Sequence, residues 1–367
     1  MNIIESLDAT HEHAKNMFVE MYDTTNGIVR TSASHPDLWP GDLYRYVEGA
    51  LSVGETDIAE GVMEAAGRSI DNDGRLPHYM LGHHPRGWFK ETNWFDLGFQ
   101  AVSGNGIVRS RSGKWVSGIY APPTFGLAAD ALVDAGIELP GNFGITELLD
   151  ADEELVVNRR LLGNWLLETT EVDELTNNSG VLARQLKDSH KAVDLAVNAN
   201  LVRNQRAIAK LCKGVFPYEH EDLLLDSHRT EAAIVNIIAD HHVQYGQQPF
   251  SLEMTQAAAR LGLSGMIRRE DLVFFFKEPN PRDDHPERTR PTFADAIEVA
   301  RLTSGSFEES RNFLVRALGK LSGGKGAFTR YENVKPSKNA VVNRAHRSQL
   351  STQTAAEAAL IAYDMVA

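Results

Sequence analysis

The stretch that decides the fold begins with Leu38-Trp39-Pro40-Gly41-Asp42 and ends with Gly74-Arg75-Leu76-Pro77-His78. Between these ends, apolar residues recur in two successive segments at the spacing of an amphipathic helix. They are Leu43, Val47, Ala50 and Leu51 in the first segment, and Ile58, Val62, Met63 and Ala66 in the second. Gly54 separates the segments, and the turn residues 71–74 end the second one. The stretch therefore predicts two antiparallel helices with a polar, aromatic-bearing loop at one end.

Helical spacing also covers most of the remaining chain. It predicts further helices over about residues 2–22, 92–103, 124–135, 152–168, 187–212, 223–244, 251–261, 292–303, 307–321 and 351–366. Only residues 272–276 and, briefly, 340–342 have the composition of strands, and each is equally compatible with a buried helical turn. About twelve helices without alternating strands argue against a parallel-sheet fold. We expect one all-α domain over residues 1–367.

Composition and charge restrict the partners and the location of the protein. The formal net charge of -13 repels polyanions, so we expect no nucleic-acid partner and no binding to an anionic membrane. The single cysteine, Cys212, lies in an apolar helical pattern and cannot form an internal disulfide, which indicates a reducing compartment. The N-terminal sequence has no secretion signal, and no apolar run is long enough to cross a membrane. We therefore expect a cytoplasmic protein.

No metal and no other cofactor is expected. His11 and His13 lie two residues apart, and His241 and His242 are adjacent. Neither pair shares a helix face, as a zinc motif on a helix would require.

Aromatic and polar residues concentrate in turn-rich sequence within the first third of the chain. Four of the five tryptophans lie there, at Trp39, Trp88, Trp94 and Trp115. The polar and smaller aromatic residues among them include Asp42, His78, His83, His84, Asp96 and Tyr120. Aromatic rings stack on the apolar face of a sugar while carboxylates and histidines bind its hydroxyls, so the mixture suits a saccharide pocket. The same aromatics can instead plug helix ends.

The order Trp39-x-x-Asp42, Gly54 and Gly74-x-Leu76-Pro77 resembles the opening of the (α/α)6-toroid glycosidases. These are glucoamylases, trehalases and the amylo-α-1,6-glucosidase part of glycogen-debranching enzymes. The resemblance implies an all-α (α/α)6 toroid in which Asp42 binds sugar hydroxyls at the bottom of the pocket. The chain departs from the debranching pattern at Pro40-Gly41, where that pattern has Gly-Arg.

Three further segments carry the same resemblance. Residues 90–96, with Trp94 and Asp96, resemble the start of a debranching-enzyme helix. The loop 170–173 and the helix 190–199 resemble the segments that supply the general acid, which makes Asp173 the proton donor and places Asp194 and Asn198 toward the pocket. Because Glu171 replaces the loop tryptophan of the family, Glu171 is the alternative acid. Residues 328–333 and 349–356 resemble the C-terminal layout, which makes Glu332 the candidate base.

These residues predict hydrolysis of an α-glycosidic bond in a small saccharide or glucan end by an inverting acid/base mechanism. The expected substrate-binding residues are Trp39, Asp42, His78, Trp88, Trp94, Asp96, Tyr120, Asp194 and Asn198. One alternative is a sugar isomerase or polysaccharide lyase on the same toroid, with His78, His83 or His84 as the base. Another is a catalytically inactive carbohydrate-binding or scaffold relative. The sequence leaves the oligomeric state open.

Overall fold

The computed structural model describes residues 2–30, 38, 40–69, 122–141, 144–159, 164–168, 192–246, 248–276, 291–324 and 351–365. These residues contain twelve α-helices, numbered here in chain order. They are α1 Ile3–Met21, α2 Leu43–Ser52, α3 Thr56–Ser69, α4 Pro122–Asp134, α5 Ile145–Arg159, α6 Leu195–Cys212, α7 Pro217–Tyr245, α8 Leu252–Arg260, α9 Arg269–Phe275, α10 Phe293–Thr303, α11 Glu308–Leu321 and α12 Thr352–Ala359. Two short antiparallel strands follow α1: β1 (Tyr22–Asp23) and β2 (Ile28–Val29), with Tyr22 opposite Val29.

The even-numbered helices form a closed ring. Helix α2 packs against α4, α4 against α6, α6 against α8, α8 against α10, α10 against α12, and α12 returns to α2. Each odd-numbered helix packs against a member of this ring: α1 against α12, α3 against α2, α5 against α4 and α6, α7 against α6, α9 against α8, and α11 against α10. This arrangement is the (α/α)6 toroid, which confirms the fold class that the sequence predicted.

Burial separates the inner ring from the outer helices. All eight residues of α12 are buried, whereas the 29-residue α7 buries only Leu223, Ser227, Thr230, Ile234 and Ile238 along one stripe. A helix that is buried all round needs small residues where it meets its neighbours. A Cβ atom added at Gly49 of α2 would lie 2.8 Å from Cα of Ala356 in α12, so glycine permits this close approach.

Short turns join several inner helices to the outer helix that follows. Residues 53–55, 213–216 and 304–307 are short turns from an inner helix to the outer helix after it. The stretches of sequence between an outer helix and the next described inner helix are residues 22–42, 70–121, 160–194, 246–251, 276–292 and 322–351.

The predicted helices agree with the structure except at several ends. The prediction over 152–168 is wrong at both ends, because α5 begins at Ile145 and ends at Arg159, and residues 164–168 are not helical. Helix α6 begins only at Leu195, since Asp194 caps it, and α12 ends at Ala359. Most of residues 272–276 belong to helix α9 and form no strand. The predicted helix over 92–103 and the segment 340–342 lie outside the described residues.

The sequence analysis missed the short β-hairpin. Its strands are joined by residues 24–27, and Gly27 adopts a φ of 70°, a left-handed conformation that glycine reaches without strain. The dipeptide Asn26-Gly27 is a typical hairpin turn signal, so this element was within reach of the sequence.

Candidate functional site

Three inner helices bring polar residues together near their N-terminal ends. Asp42 directly precedes α2, Asp295 is the third residue of α10, and Gln353 is the second residue of α12. The amide Nε2 of Gln353 donates a hydrogen bond to Oδ2 of Asp42. Arg45 of α2 binds both carboxylates, which places the starts of α2, α10 and α12 at the same end of the ring.

The Arg45 guanidinium is the centre of this arrangement. Its NH1 donates to Oδ1 of Asp42 at 3.1 Å, and its NH2 donates to Oδ1 of Asp295 at 2.7 Å. NH2 also donates to Oε2 of Glu298 at 2.6 Å, and Nε lies at ion-pair distance, 3.0 Å, from Oε1 of Glu357. Only 5% of the Arg45 side chain is exposed, so nearly all of its charge is compensated by protein groups.

Glu298 of α10 is the most heavily bonded carboxylate of the group. It accepts from the hydroxyl of Tyr44 at 2.8 Å, from Arg45, and from Nε and NH2 of Arg260 at 3.0 and 2.8 Å. Burial raises the pKa of this carboxyl, but the Arg260 and Arg45 guanidiniums outweigh burial and hold the pKa well below its ordinary value. Glu298 is therefore a fixed negative charge inside the ring.

Two further carboxyl groups lie farther from the N-terminal ends of α2 and α12. Oε2 of Glu357 in α12 accepts from Nε and NH2 of Arg301 at 3.2 and 3.1 Å, and Glu357 has no exposed surface. Burial raises the pKa of Glu357 to about 7, against the opposing effect of Arg301 and Arg45. Burial likewise raises the pKa of Glu48, one turn beyond Arg45 in α2, although Arg203 and Arg301 act in the opposite direction.

We call these residues the central charge cluster. Its members are Asp42, Tyr44, Arg45, Glu48, Arg203, Arg260, Asp295, Glu298, Arg301, Gln353 and Glu357. The helices α2, α6, α8, α10 and α12 contribute to it, so the cluster ties most of the inner ring together. Asp42 and Asp295, each with 15% of its side chain exposed, are the carboxylates of the cluster nearest the N-terminal ends of these helices.

Of the three predicted site residues that the structure describes, Asp42 lies in this cluster. It occupies the N-cap position of α2, yet its side chain makes no capping hydrogen bond to that helix. Its two oxygens instead accept from Arg45 and Gln353. The carboxylate is thus oriented from two sides by other helix residues. Its predicted contact with sugar hydroxyls stays a prediction.

Asp194 and Asn198 lie at the start of α6, one turn apart as predicted, and both are fully buried. Oδ1 of Asp194 accepts from the backbone N–H groups of Ala196 and Val197 at 2.9 and 3.1 Å, which caps α6. Oδ1 of Asn198 accepts from the backbone N–H of Leu167 at 2.7 Å, and its amide nitrogen donates to the Leu167 carbonyl at 3.2 Å. These contacts fix the α6 start and the segment 164–168. Whether either side chain also binds a ligand stays a prediction.

The segment held by Asn198 contains a backbone outlier. Trp165 has a φ of 61°, in the left-handed region that is unusual for a residue other than glycine. Its carbonyl accepts from Oγ1 of Thr230 at 3.1 Å, and the Arg229 guanidinium lies 4.3 Å from the centre of its indole ring. Contacts from α7 therefore support this conformation.

The other predicted site residues lie outside the described residues. They are the expected acids Asp173 and Glu171, the expected base Glu332, and Trp39, His78, Trp88, Trp94, Asp96 and Tyr120. In the sequence, each lies between a described outer helix and the next described inner helix.

The described residues also bear on the expectations about metal ligands, membrane spans and the single cysteine. No group of three potential metal ligands is present among them, and none of their helices is long and apolar enough to span a membrane. Cys212 is a buried free thiol, and burial raises its pKa to about 11.

The sequence reasoning missed four residues at the centre of the central charge cluster, which are Arg45, Glu298, Arg260 and Glu357.

The sequence matches no known protein family model and no curated protein. The fold is similar to that of GH63 mannosylglycerate hydrolase from Thermus thermophilus. The structure of that enzyme in complex with Tris gives a TM-score of 0.62 at 15% identity, covering 95% of this chain and 98% of that chain. Its complex with glucose gives 0.60 at 14% identity, and its complex with Tris and D-glycerate gives 0.56 at 14%, both with the same coverage. The likeness supports the (α/α)6 toroid over nearly the whole length of both chains.

Proposed function

We propose that this protein is a glycoside hydrolase that cleaves an α-glycosidic bond of a small saccharide or glucan end with inversion of configuration. The observation that carries the proposal is the placement of Asp42. This carboxylate lies at the N-terminal end of the inner ring, is held by Arg45 and Gln353, and keeps 15% of its side chain accessible.

A carboxylate that is held in this way is suited to binding hydroxyl groups. An ionised carboxylate offers about four acceptor positions, so internal donors can orient it while it accepts from a ligand. Because the orientation is set before binding, a sugar does not have to restrict this side chain. The GH63 mannosylglycerate hydrolase with the similar fold was crystallised with glucose and with D-glycerate, which supports a small polyhydroxylated ligand for this fold.

The proposed chemistry needs a proton donor for the leaving oxygen and a base for the attacking water. In an inverting hydrolase, the two carboxyl groups are about 6.5–9.5 Å apart. We assign the acid to Asp173, with Glu171 as the alternative, and the base to Glu332. A catalytically inactive carbohydrate-binding protein is the second candidate, because Pro40-Gly41 and Glu171 depart from the pattern of the active toroid enzymes.

Activity assays with carboxylate variants test the proposal. The purified protein is incubated with mannosylglycerate, maltose, isomaltose and trehalose, and released sugar is quantified for wild type, Asp173→Asn, Glu171→Gln and Glu332→Gln. We expect hydrolysis of at least one compound, loss of about 10²-fold or more with Glu332→Gln, and a comparable loss with one of the two acid variants. Glu153→Gln, an exposed position on α5, is the matched control and should keep full activity.

The outcomes separate the candidates. Binding of a saccharide without any hydrolysis by folded wild type would favour the inactive relative. Hydrolysis that survives all three site substitutions would overturn the assignment of the acid and the base.

A further inference from the structure

Arg203 of α6 is a charged side chain inside the ring that makes no hydrogen bond to any described residue. Its NH1 lies 4.0 Å from Oε1 of Glu298, and its Cζ lies 5.5 Å from the centre of the Tyr44 ring. That Glu298 oxygen already accepts from Tyr44 and Arg260. NH1 is enclosed by the protein and has no hydrogen-bond partner, although 23% of the Arg203 side chain is accessible. A buried donor without an acceptor is costly, so it indicates a partner outside the chain.

Glu48 of α2 is the charged residue that faces Arg203. Burial raises the pKa of the Glu48 carboxyl, and Arg203 is the charged group that opposes this effect most strongly. The two opposite charges are therefore near each other, yet neither has the other as a hydrogen-bond or ion-pair partner within the described residues. Glu48 is partly accessible. Together they offer a donor and an acceptor that one small polar group between them would satisfy.

Asn200 adds a second enclosed atom without a partner. Only 7% of this residue is exposed, and its Oδ1 has no hydrogen-bond donor. It lies three residues before Arg203 on α6, so the two side chains occupy neighbouring turns of one face. Asn204, one turn later, shows how the protein satisfies such an amide elsewhere. Its Oδ1 accepts from the backbone N–H of Gly126 in α4 at 2.7 Å.

The start of α4 explains why the chain gives Asn200 no such donor. The contact between Asn204 and α4 and the ion pair of Lys210 with Asp130 at 2.8 Å show that α4 and α6 run in the same direction. Asn200 is therefore level with the first turn of α4, where residues 122–123 are both prolines. Proline has no backbone N–H, so this turn cannot donate to Oδ1 of Asn200 as α4 does one turn later.

These side chains lie toward the end of the ring that carries Asp42. Arg260 donates from NH1 to the carbonyl of Ala196, in the first turn of α6, at 3.0 Å, and from Nε to Glu298 at 3.0 Å. The start of α6 is thereby joined to the central charge cluster. Asn200 is about one turn beyond Ala196. The unpartnered atoms consequently belong to the interior of the ring, close to the candidate site.

The mixture of donors and acceptors selects the ligand. Arg203 can only donate, whereas the Glu48 carboxylate and Oδ1 of Asn200 can only accept. An anion would satisfy Arg203 but would be repelled by Glu48 and would offer nothing to Asn200. A cation would be repelled by Arg203. A hydroxyl group both accepts and donates, so a neutral polyhydroxylated molecule satisfies all three side chains.

We propose that Arg203, Asn200 and Glu48 bind hydroxyl groups of a neutral sugar ring, with Arg203 donating to a hydroxyl oxygen and with Asn200 and Glu48 accepting from hydroxyl hydrogens. This inference rests on the proposed function, since it assigns three further ligand-contacting residues to the same sugar site.

Asn200→Leu separates ligand binding from a structural role. Leucine has a similar size and removes the unsatisfied oxygen, so the free energy of unfolding should stay the same or rise. Binding of D-glucose, measured by isothermal titration calorimetry, should weaken by about five-fold or more. The control is Asn236→Leu, at an exposed position of the outer helix α7, which should leave glucose affinity within about two-fold of wild type.

Arg203→Lys tests the guanidinium. Lysine keeps the positive charge beside Glu298 and Glu48 but loses the planar fork, and glucose binding should weaken by about ten-fold or more. The matched control is Arg206→Lys on the same helix. Arg206 is 36% exposed and pairs with Glu231 on α7, so its replacement should change glucose affinity by less than about two-fold. Far-UV circular dichroism and urea unfolding show whether each variant is folded and how stable it is.

The outcomes distinguish this inference from the proposed function. If wild type binds glucose and both Asn200→Leu and Arg203→Lys bind it equally well, the inference is overturned and the proposed function stands. Loss of unfolding free energy without loss of affinity would likewise overturn it, because ordered waters would then be the partners of these side chains. If the folded wild type binds no glucose, the three residues are not a sugar site. The hydrolysis assays then decide separately whether the protein is a glycosidase.

Discussion

Replacing Glu298 with glutamine should destabilise the inner ring more than any comparable change at the surface. Glu298 is only 1% exposed and compensates two guanidiniums whose side chains are 5% and 7% exposed, those of Arg45 and Arg260. Glutamine keeps the volume but removes the charge, so Arg260 loses the carboxylate that it pairs with and Arg45 loses one of the four carboxylates around it. Removing one partner of a buried ion pair costs about 3–5 kcal/mol. We expect Glu298→Gln to lower the free energy of unfolding by this amount at about pH 7.

The matched control is Glu64→Gln on α3. Glu64 pairs with Arg68 at 2.9 Å, but these side chains are 53% and 49% exposed. Solvent screens such a pair, and its loss should cost at most about 1 kcal/mol. Urea unfolding followed by far-UV circular dichroism measures both variants against wild type, with the slope of the transition checked for constancy.

The pH dependence gives a second test of the same reasoning. The pKa of Glu298 in the folded protein is held well below its ordinary value. Its contribution to stability is therefore present above the unfolded pKa of about 4.5 and is lost as the pH falls through the folded pKa. The difference between wild type and Glu298→Gln should shrink in acid. Equal losses for Glu298→Gln and Glu64→Gln at about pH 7 would refute the claim that the cluster ties the ring together.

Three further changes test other parts of the structure. Asp42→Asn should weaken glucose binding by about 1.5–3 kcal/mol, measured by calorimetry. It should lower the free energy of unfolding by less than Glu298→Gln does. Equal losses of binding and unfolding free energy would show that Asp42 has a structural role. The free energy of unfolding of Glu357→Gln should rise relative to that of wild type as the pH rises through about 7. Because burial raises the pKa of Glu357 to about 7, the stability that wild type gains from protonated Glu357 is full below about pH 4.5 and is lost above pH 7. Urea unfolding at the two pH extremes measures the difference between the variants, and a difference that does not change with pH would contradict burial as the cause. Gly126→Ala should lower the free energy of unfolding by about 1–3 kcal/mol, because the added Cβ atom would lie 2.4 Å from Cγ1 of Ile208, where α4 packs against α6. The control is Gly319→Ala, whose Cβ atom would meet no atom within 4 Å. In the same assay this variant should leave the free energy of unfolding unchanged or raise it.

The helices were predictable where apolar spacing and a capping residue agree. The predictions over 251–261 and 292–303 lie within one residue of the observed ends of α8 and α10. The side chains of Ser251 and Thr292 cap these two helices. The boundary of α6 was not predictable in this way. Asp194 stands inside a run with helical spacing, and only the hydrogen bonds of its carboxylate show that the helix begins after it.

The central charge cluster could not be predicted from periodicity. On an amphipathic helix, a charged residue is expected on the solvated face, but the inner helices of a toroid are buried on most sides. Arg45, Glu298 and Glu357 must therefore find partners across helices that are distant in sequence. The available signal was α12, where Ala355, Ala356, Ala358 and Ala359 surround Glu357. When small residues surround a charged residue on every side of a helix, that residue is expected to be buried and to pair with another buried charge.

Asp42 shows what a motif adds and what it leaves out. The resemblance picked out this carboxylate, because Trp39-x-x-Asp42 stands at the start of a helix pair. Its orientation depends on Gln353 and on Arg45, and the first of these lies at the other end of the chain. Such a contact follows from closure of the ring between α12 and α2, which local sequence does not encode.

The stereochemistry of the first product tests the proposed function most directly. Wild-type protein is mixed with mannosylglycerate, maltose or isomaltose, and proton NMR follows the anomeric signals before mutarotation equalises them. Trehalose is omitted, because its hydrolysis with inversion releases one glucose of each anomer. Inversion predicts that the β-anomer of the released sugar accumulates first. First appearance of the α-anomer, or no released sugar from any compound by protein that is folded, would contradict the account.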